Sequence, residues 1–210
     1  MTTKPTLTYF DAPMSRGEEC RLALTIAGVD FEDKRLARAD WLALKPNTPF
    51  GSLPLYEEPG RPVLAQSNAI LALIGRRHGL HPKDDFEAAR HEAIMSYVEE
   101  LRAAVTVTMR MQDAEEKKRA REQLAATYLP VWGGHVERQI GDGPFFGGVA
   151  INVVDLKLLL IHRWFRGGAL DHIPATVFAD FPKLNLLAAA AEDHPRVKEF
   201  TAKHAPPAKS

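Results

Sequence analysis

At His78-Gly79-Leu80-His81-Pro82-Lys83-Asp84 the sequence changes character, and this change constrains the fold more than any other feature. Upstream, short Thr- and aromatic-containing runs with strand character alternate with segments of helical spacing. Downstream, apolar residues keep the helical spacing and the chain reads as entirely helical. A sheet face and a helical stripe each have to be buried, so such a chain builds an α/β core followed by an all-helical one. Its 210 residues are enough for two small cores. The domains are expected at 1–80 and 86–204, with the Gly- and Pro-containing stretch as a linker.

Within the first part, Thr6–Phe10 alternates Thr and apolar residues and reads as a strand. Arg16–Ala27 carries Leu22, Ala23, Ile26 and Ala27 at helical spacing, and Gly28 is suited to close that helix. Phe31–Leu36 is a second strand, so strand, helix and strand form a parallel crossover unit. Leu53–Glu57 and Pro62–Ala65 are short strands joined at Glu58-Pro59-Gly60-Arg61, where Pro-Gly signals a turn. Ser67 is expected to cap a helix that runs to about Gly79.

In the second part, Phe86–Gln112 is one long helix with Ile94, Val98, Leu101 and Val105 on its apolar face. Another spans Ala114–Ile140, kinked or interrupted at Pro130. Asn152-Val153-Val154-Asp155 starts a strongly apolar helix through Phe165 with a capping-box pattern in which Asp replaces Glu or Gln. Phe181-Pro182-Lys183 opens a helix through Ala191, Pro195 opens a last short one to Phe200, and Ala205–Ser210 reads as disordered.

Lys plus Arg and Asp plus Glu both total 27, so the formal net charge is zero. A neutral chain makes no electrostatic case for nucleic acid or an anionic membrane surface, and an acidic ligand needs a local pocket. Cys20 is the only cysteine, which excludes an intramolecular disulfide and a Cys-rich zinc site and fits a reducing compartment. Cys20 itself reads as a packed residue, and His78 and His81 straddle Gly79, a poor arrangement for a metal. The start lacks the apolar core of a signal peptide, and no apolar run approaches the roughly 20 residues that span a bilayer. The expected localisation is cytoplasmic.

Several residues in the first part carry chemistry when taken together. Tyr9 ends a strand and supplies either an exposed phenol or an ordinary half-buried strand aromatic. Ser67 offers a hydroxyl at a helix N-terminus, a cap that can also be an anion site, with Gln66 beside it. Trp41 and Lys45 lie one helical turn apart, and Pro54 stands at the mouth of a strand.

The ordered set Leu7-Thr8-Tyr9-Phe10, Ala39-Asp40-Trp41 with Lys45, Pro49-Phe50-Gly51-Ser52-Leu53-Pro54 and Gln66-Ser67 resembles the cytosolic glutathione transferases. The pattern is most similar to the sigma class, which includes relatives of the glutathione-dependent prostaglandin D synthase. Phe145-Phe146-Gly147-Gly148 and Asn152–Asp155 resemble the capping element of that family's helical domain, and the likeness extends to about His204. Three departures stand out. One extra residue lies between Phe10 and Arg16, Ser52 replaces a more usual Lys or Gln, and Glu99 takes the place of an acid that is more often Asp.

The resemblance implies an α/β thioredoxin-like N-terminal domain, an all-α C-terminal domain and a homodimer. It implies glutathione as co-substrate without a metal, and a small hydrophobic electrophile as second substrate. Tyr9 would donate a hydrogen bond to the thiolate, and Arg16 would orient Tyr9 or polarise the sulfur. Trp41 and Lys45 would hold the glycine end, and Gln66 and Ser67 the γ-glutamyl end. Ser52, Leu53 and Pro54 would lie beside the cysteine moiety, with the Leu53–Pro54 bond cis. Glu99 would reach the ligand of the other subunit. Phe10, Met14, Met109, Met111 and Trp164 are candidates for an apolar second site, with core packing the alternative for each. Conjugation in detoxification, peroxide reduction and isomerisation all use the same thiolate. A non-catalytic glutathione-binding or structural relative, comparable to the lens crystallins, is a second class, and a helical partner-binding protein a third.

Overall fold

The computed structural model describes residues 4–13 and 15–204, so the expectations for Met14 and for Ala205–Ser210 fall outside the described residues. The chain forms two compact units, one of residues up to His81 together with the chain from Glu192, the other Pro82–Ala191.

In the first unit, β1 (Thr6–Phe10), α1 (Ser15–Ile26) and β2 (Glu32–Leu36) form the expected crossover, with β1 and β2 parallel and Tyr9 opposite Arg35. α2 (Arg38–Leu44) and a single 3₁₀ turn, Lys45–Asn47, lead to β3 (Leu55–Glu57), β4 (Leu64–Ala65) and α3 (Ser67–His78). The sheet order is β2-β1-β3-β4, with β3 antiparallel to both neighbours. Both hairpin strands start later than their sequence implies. Pro54 and Pro62 carry no N–H for a ladder, so pairing begins at Leu55 and Leu64. The turn between them has Gly60 at φ 75°, with the Arg61 N–H bonded to the Glu58 carbonyl at 3.1 Å. At the end of α1, Gly28 takes φ 68°, and Gly28 and Val29 donate to the carbonyls of Thr25 and Leu24. That is a Schellman closure, which needs a residue tolerant of positive φ.

Every residue of α1 from Gly17 to Leu24 is buried, including Glu18, Glu19 and Arg21. A helix enclosed on all sides needs more than a sheet beneath it. α3 packs on one flank, and α9 (Pro195–Lys203) covers another with Val197 and Phe200 buried. By compactness, then, the expected helical stretch 86–204 is divided, because its last helix contributes its apolar stripe to the α/β core. Cys20 is fully buried in α1.

The second unit contains α4 (Asp85–Met109), α5 (Ala114–Gln123), α6 (Leu129–Gln139), α7 (Val153–Arg166) and, as far as Ala191, α8 (Pro182–Asp193). The Asp84 carboxylate accepts the N–H groups of Phe86 and Glu87, and Asp113 accepts that of Glu116, so both helices begin on side-chain caps. The regular α-helix is interrupted just before Pro130, as expected. A π turn at Leu124–Tyr128 carries α5 into α6, with the Leu129 N–H bonded to the Leu124 carbonyl. The wider turn absorbs the proline, which has no N–H and would crowd a regular α turn before it. α7 is buried throughout Val153–Ile161, and Asp155 anchors its start by accepting the N–H groups of Asn152 and Phe146, both at 2.7 Å.

Candidate functional site

Tyr9 lies at the end of β1 on the same side of the strand as the fully buried Leu7. Contrary to the expectation of an exposed phenol, it is only 8% exposed, because its ring lies against the first turn of α1. The Phe10 ring meets it edge-on at 5.5 Å, and Trp41 meets Phe10 edge-on at 6.1 Å. The Arg21 guanidinium stands 5.8 Å from the centre of the Tyr9 ring, within cation–π range.

Arg21 also fixes the loop that follows Tyr9. Its Nη2 donates to the Phe10 carbonyl at 3.0 Å and its Nη1 to the Ala12 carbonyl at 3.2 Å, while Nε donates to Asp33 at 2.8 Å. Arg35 ties Asp11 to Asp33 on the neighbouring strand, which holds the Asp11 carboxyl below the usual range. The loop from Asp11 to Pro13 is therefore held by two guanidinium groups. Arg16 is partly exposed in the first turn of α1, directly before Gly17.

α2 presents Trp41, partly exposed, and its end places Lys45 over the segment that follows. The Lys45 N–H closes α2 on the Trp41 carbonyl, and the Lys45 stem passes over Gly51, which has φ 58°. Ser52 and Leu53 are partly exposed, Pro54 is buried, and the Leu53–Pro54 bond is cis as the resemblance implies.

At α3 the capping expectation is corrected. Gln66, not Ser67, is the N-cap: its carbonyl receives the Ile70 N–H at 3.1 Å, while its φ of 75° keeps it outside the helix. Ser67 is the first helical residue and is buried, with its backbone N–H among the donors that a helix start leaves unpaired. A non-glycine residue at positive φ costs on the order of 1–3 kcal/mol and persists where the surroundings over-determine it, often at ligand clamps.

Glu99 belongs to the second unit, where its carboxylate receives Arg102 at 2.8 Å and the fully buried Lys157 at 2.5 Å. The structure thus pins it between α4 and α7. Met109 is 53% exposed, and Phe10, Met111 and Trp164 are partly exposed, so none of these four is a core residue. Met14 lies outside the described residues. Among the described residues no group of three His, Cys, Asp or Glu side chains is placed to hold a metal ion, and no helix is long and apolar enough to cross a membrane.

Two residues that shape this region escaped the sequence reading. Gly17 and Arg21 lie eight and twelve positions after Tyr9, inside a helix whose pattern directs attention to Leu22, Ala23 and Ile26. An arginine amid an apolar helical run was the available signal.

Residues 5–76 match the glutathione S-transferase N-terminal domain family, and residues 99–204 match the glutathione S-transferase C-terminal domain family. The chain is 45% identical to glutathione S-transferase 1 of Ascaris suum over 120 residues, which cover 55% of this chain and 57% of that one. It is 32% identical to hematopoietic prostaglandin D synthase of Gallus gallus over 149 residues, 71% of this chain and 73% of that one. The crystal structure of the glutathione S-transferase from Ascaris lumbricoides superposes with a TM-score of 0.77 at 30% identity, covering 97% of this chain and 98% of that one. With both domain families matched in order and relatives aligned across each, the chain belongs to the glutathione S-transferase family.

Proposed function

We propose that this protein binds glutathione in its first unit, ionises the thiol, and joins the intact tripeptide through its sulfur to a small hydrophobic electrophile. The observation that carries this reading is that one compact unit contains every residue that the resemblance assigns to the tripeptide except Glu99. Tyr9, Trp41, Lys45, Ser52, the cis Leu53–Pro54 bond, and Gln66-Ser67 at the start of α3 all belong to it.

A free thiol titrates near pH 8.5, so only a few per cent is thiolate at neutral pH. Ionising most of it requires a shift of roughly 2 units, about 2.7 kcal/mol. A hydrogen bond to a charged acceptor contributes about 1.5–3 kcal/mol, which a neutral Tyr9 phenol donating to sulfur supplies. A nearby helix N-terminus adds about 0.3–1 kcal/mol. The thiol proton leaves to solvent, the sulfur lone pair attacks the electrophilic carbon, and the leaving group departs with its bonding pair. Arg16, the residue directly before Gly17, supports the developing thiolate by charge.

In this reading Ser67 and Gln66 hold the γ-glutamyl end through the free N–H groups of the α3 start. Trp41 and Lys45 hold the glycine end, Lys45 meeting its carboxylate. Glu99, paired with Lys157 and Arg102, joins α4 and α7. The protein acts in the cytoplasm as a homodimer, in detoxifying conjugation.

Titration of enzyme-bound glutathione by ultraviolet thiolate absorbance, in wild type and Tyr9→Phe, tests this function. The wild type is expected to ionise the thiol about 2 units below free glutathione, and Tyr9→Phe to lose most of that shift. Coincident titrations of the two proteins would remove Tyr9 from the activation step.

A further inference from the structure

Gly17 occupies the third position of α1 and is buried. It lies in regular helix, not at a cap, so no turn requires a glycine there. Glycine is the poorest helix former after proline, and its presence within the helix calls for another reason. Tyr9 supplies that reason. A β-carbon built on Gly17 would stand 2.1 Å from both Cγ and Cδ1 of Tyr9 and 2.7 Å from its Cβ. These atoms are the root of the Tyr9 side chain, so a small swing of a flexible end gives no relief.

Neither backbone can yield easily. β1 is paired with β2 in register, Tyr9 opposite Arg35, and Arg21 holds the carbonyls of Phe10 and Ala12. α1 is enclosed from Gly17 to Leu24. A methyl group at position 17 therefore forces the Tyr9 ring round its first side-chain torsion, and because that rotation leaves the 2.7 Å approach to the Tyr9 Cβ unrelieved, it also pushes β1 and α1 apart locally; both movements carry the phenol oxygen off its present position. We infer that Gly17 is a positioning residue for thiol activation, acting through Tyr9: by having no side chain it lets the ring lie on α1 and sets where the phenol points. This inference rests on the reading that Tyr9 donates to the glutathione sulfur.

The test is a double-mutant cycle on the full-length protein. Gly17→Ala is expected to raise the pH at which bound glutathione ionises and to lower kcat/KM toward an activated aryl halide by about 10–100-fold, as displacement on the ångström scale does. In the Tyr9→Phe background the same change is expected to move the thiol titration no further, because no phenol remains to be displaced. Thermal unfolding gives a readout independent of activity. Gly17→Ala should lower the Tm in wild type and raise it in Tyr9→Ala, where the ring is gone and alanine is the better helix former. If Gly17→Ala does not fold, its recovery in Tyr9→Ala still reports the contact.

The inference is overturned if Gly17→Ala leaves the thiol titration unchanged while Tyr9→Phe shifts it, or if the alanine lowers the Tm equally with and without the ring. A Tyr9→Phe protein that titrates like wild type overturns the underlying reading instead, so the two failures are distinct.

Discussion

Arg21 shows how much a single buried charge can organise. Its guanidinium is fully enclosed and meets Asp33 at 2.8 Å, Glu18 at 3.3 Å and the carbonyls of Phe10 and Ala12, and it stands 5.8 Å from the centre of the Tyr9 ring. Removing one partner of such a network leaves the others buried and uncompensated, a loss of roughly 3–5 kcal/mol. Arg21→Ala is expected to lose stability on that scale, as a lower urea midpoint with an unchanged slope. A loss below roughly 1 kcal/mol, the range of exposed pairs, would show that the pairs are solvated. Little of this was legible in the sequence. An arginine in an apolar helical run is visible there, but its partners come from β2, from the loop after β1 and from α1 itself. Tyr9 has the same history, since its residue type pointed to the chemistry while its burial depends on Gly17.

At the scale of elements, local signals served well wherever the chemistry is local. Gly28 closing α1 and Pro59-Gly60 turning the hairpin both act within a few residues. Asp155 belongs with them, as the anchor of α7. Burial raises its carboxyl to about 7 despite the two backbone N–H groups that favour its charge. An unfolded Asp titrates near 3.9, so between roughly pH 4 and 7 the native chain holds a proton that the unfolded chain has released. Its contribution to stability is therefore complete below about pH 4 and lost as pH rises toward 7. Asp155→Asn is expected to flatten this decline in a Tm-against-pH series and to cost about 1–3 kcal/mol at acid pH, since an amide oxygen cannot serve both N–H groups as well. An unaltered slope would place the titration elsewhere. Glu18, raised mainly by burial, adds a slope of the same sign that this variant leaves in place. Where a cap is not local, pattern reading fails. The first N–H groups of α8 are received by Glu137 on α6, 46 residues before Lys183.

At the scale of the molecule, the family places the chain among proteins whose chemistry depends on two substrates, and the residue set of the first unit speaks to only one of them. The proposed homodimer is open to direct measurement. Sedimentation equilibrium of the full-length protein is expected to return twice the chain mass across the micromolar range, and a single species at the chain mass would overturn it. Leu42 and Phe50 in the first unit and Val107 and Met109 in the second are large apolar side chains left exposed in the single chain.

The amino-acid sequence by itself determined the division into an α/β part and a helical part, the turns and closures, and the residue types that suit a thiol tripeptide. Those properties depend on periodicity and on contacts between near neighbours, both of which a sequence records directly. Tertiary structure alone decided that α9 joins the core of the first unit, that Glu99 is held by Lys157 and Arg102, and that Tyr9 lies buried on Gly17. In each case the deciding partner is remote in the chain or is a residue notable only for lacking a side chain. An apolar stripe shows that a face will be covered, and only packing shows by what.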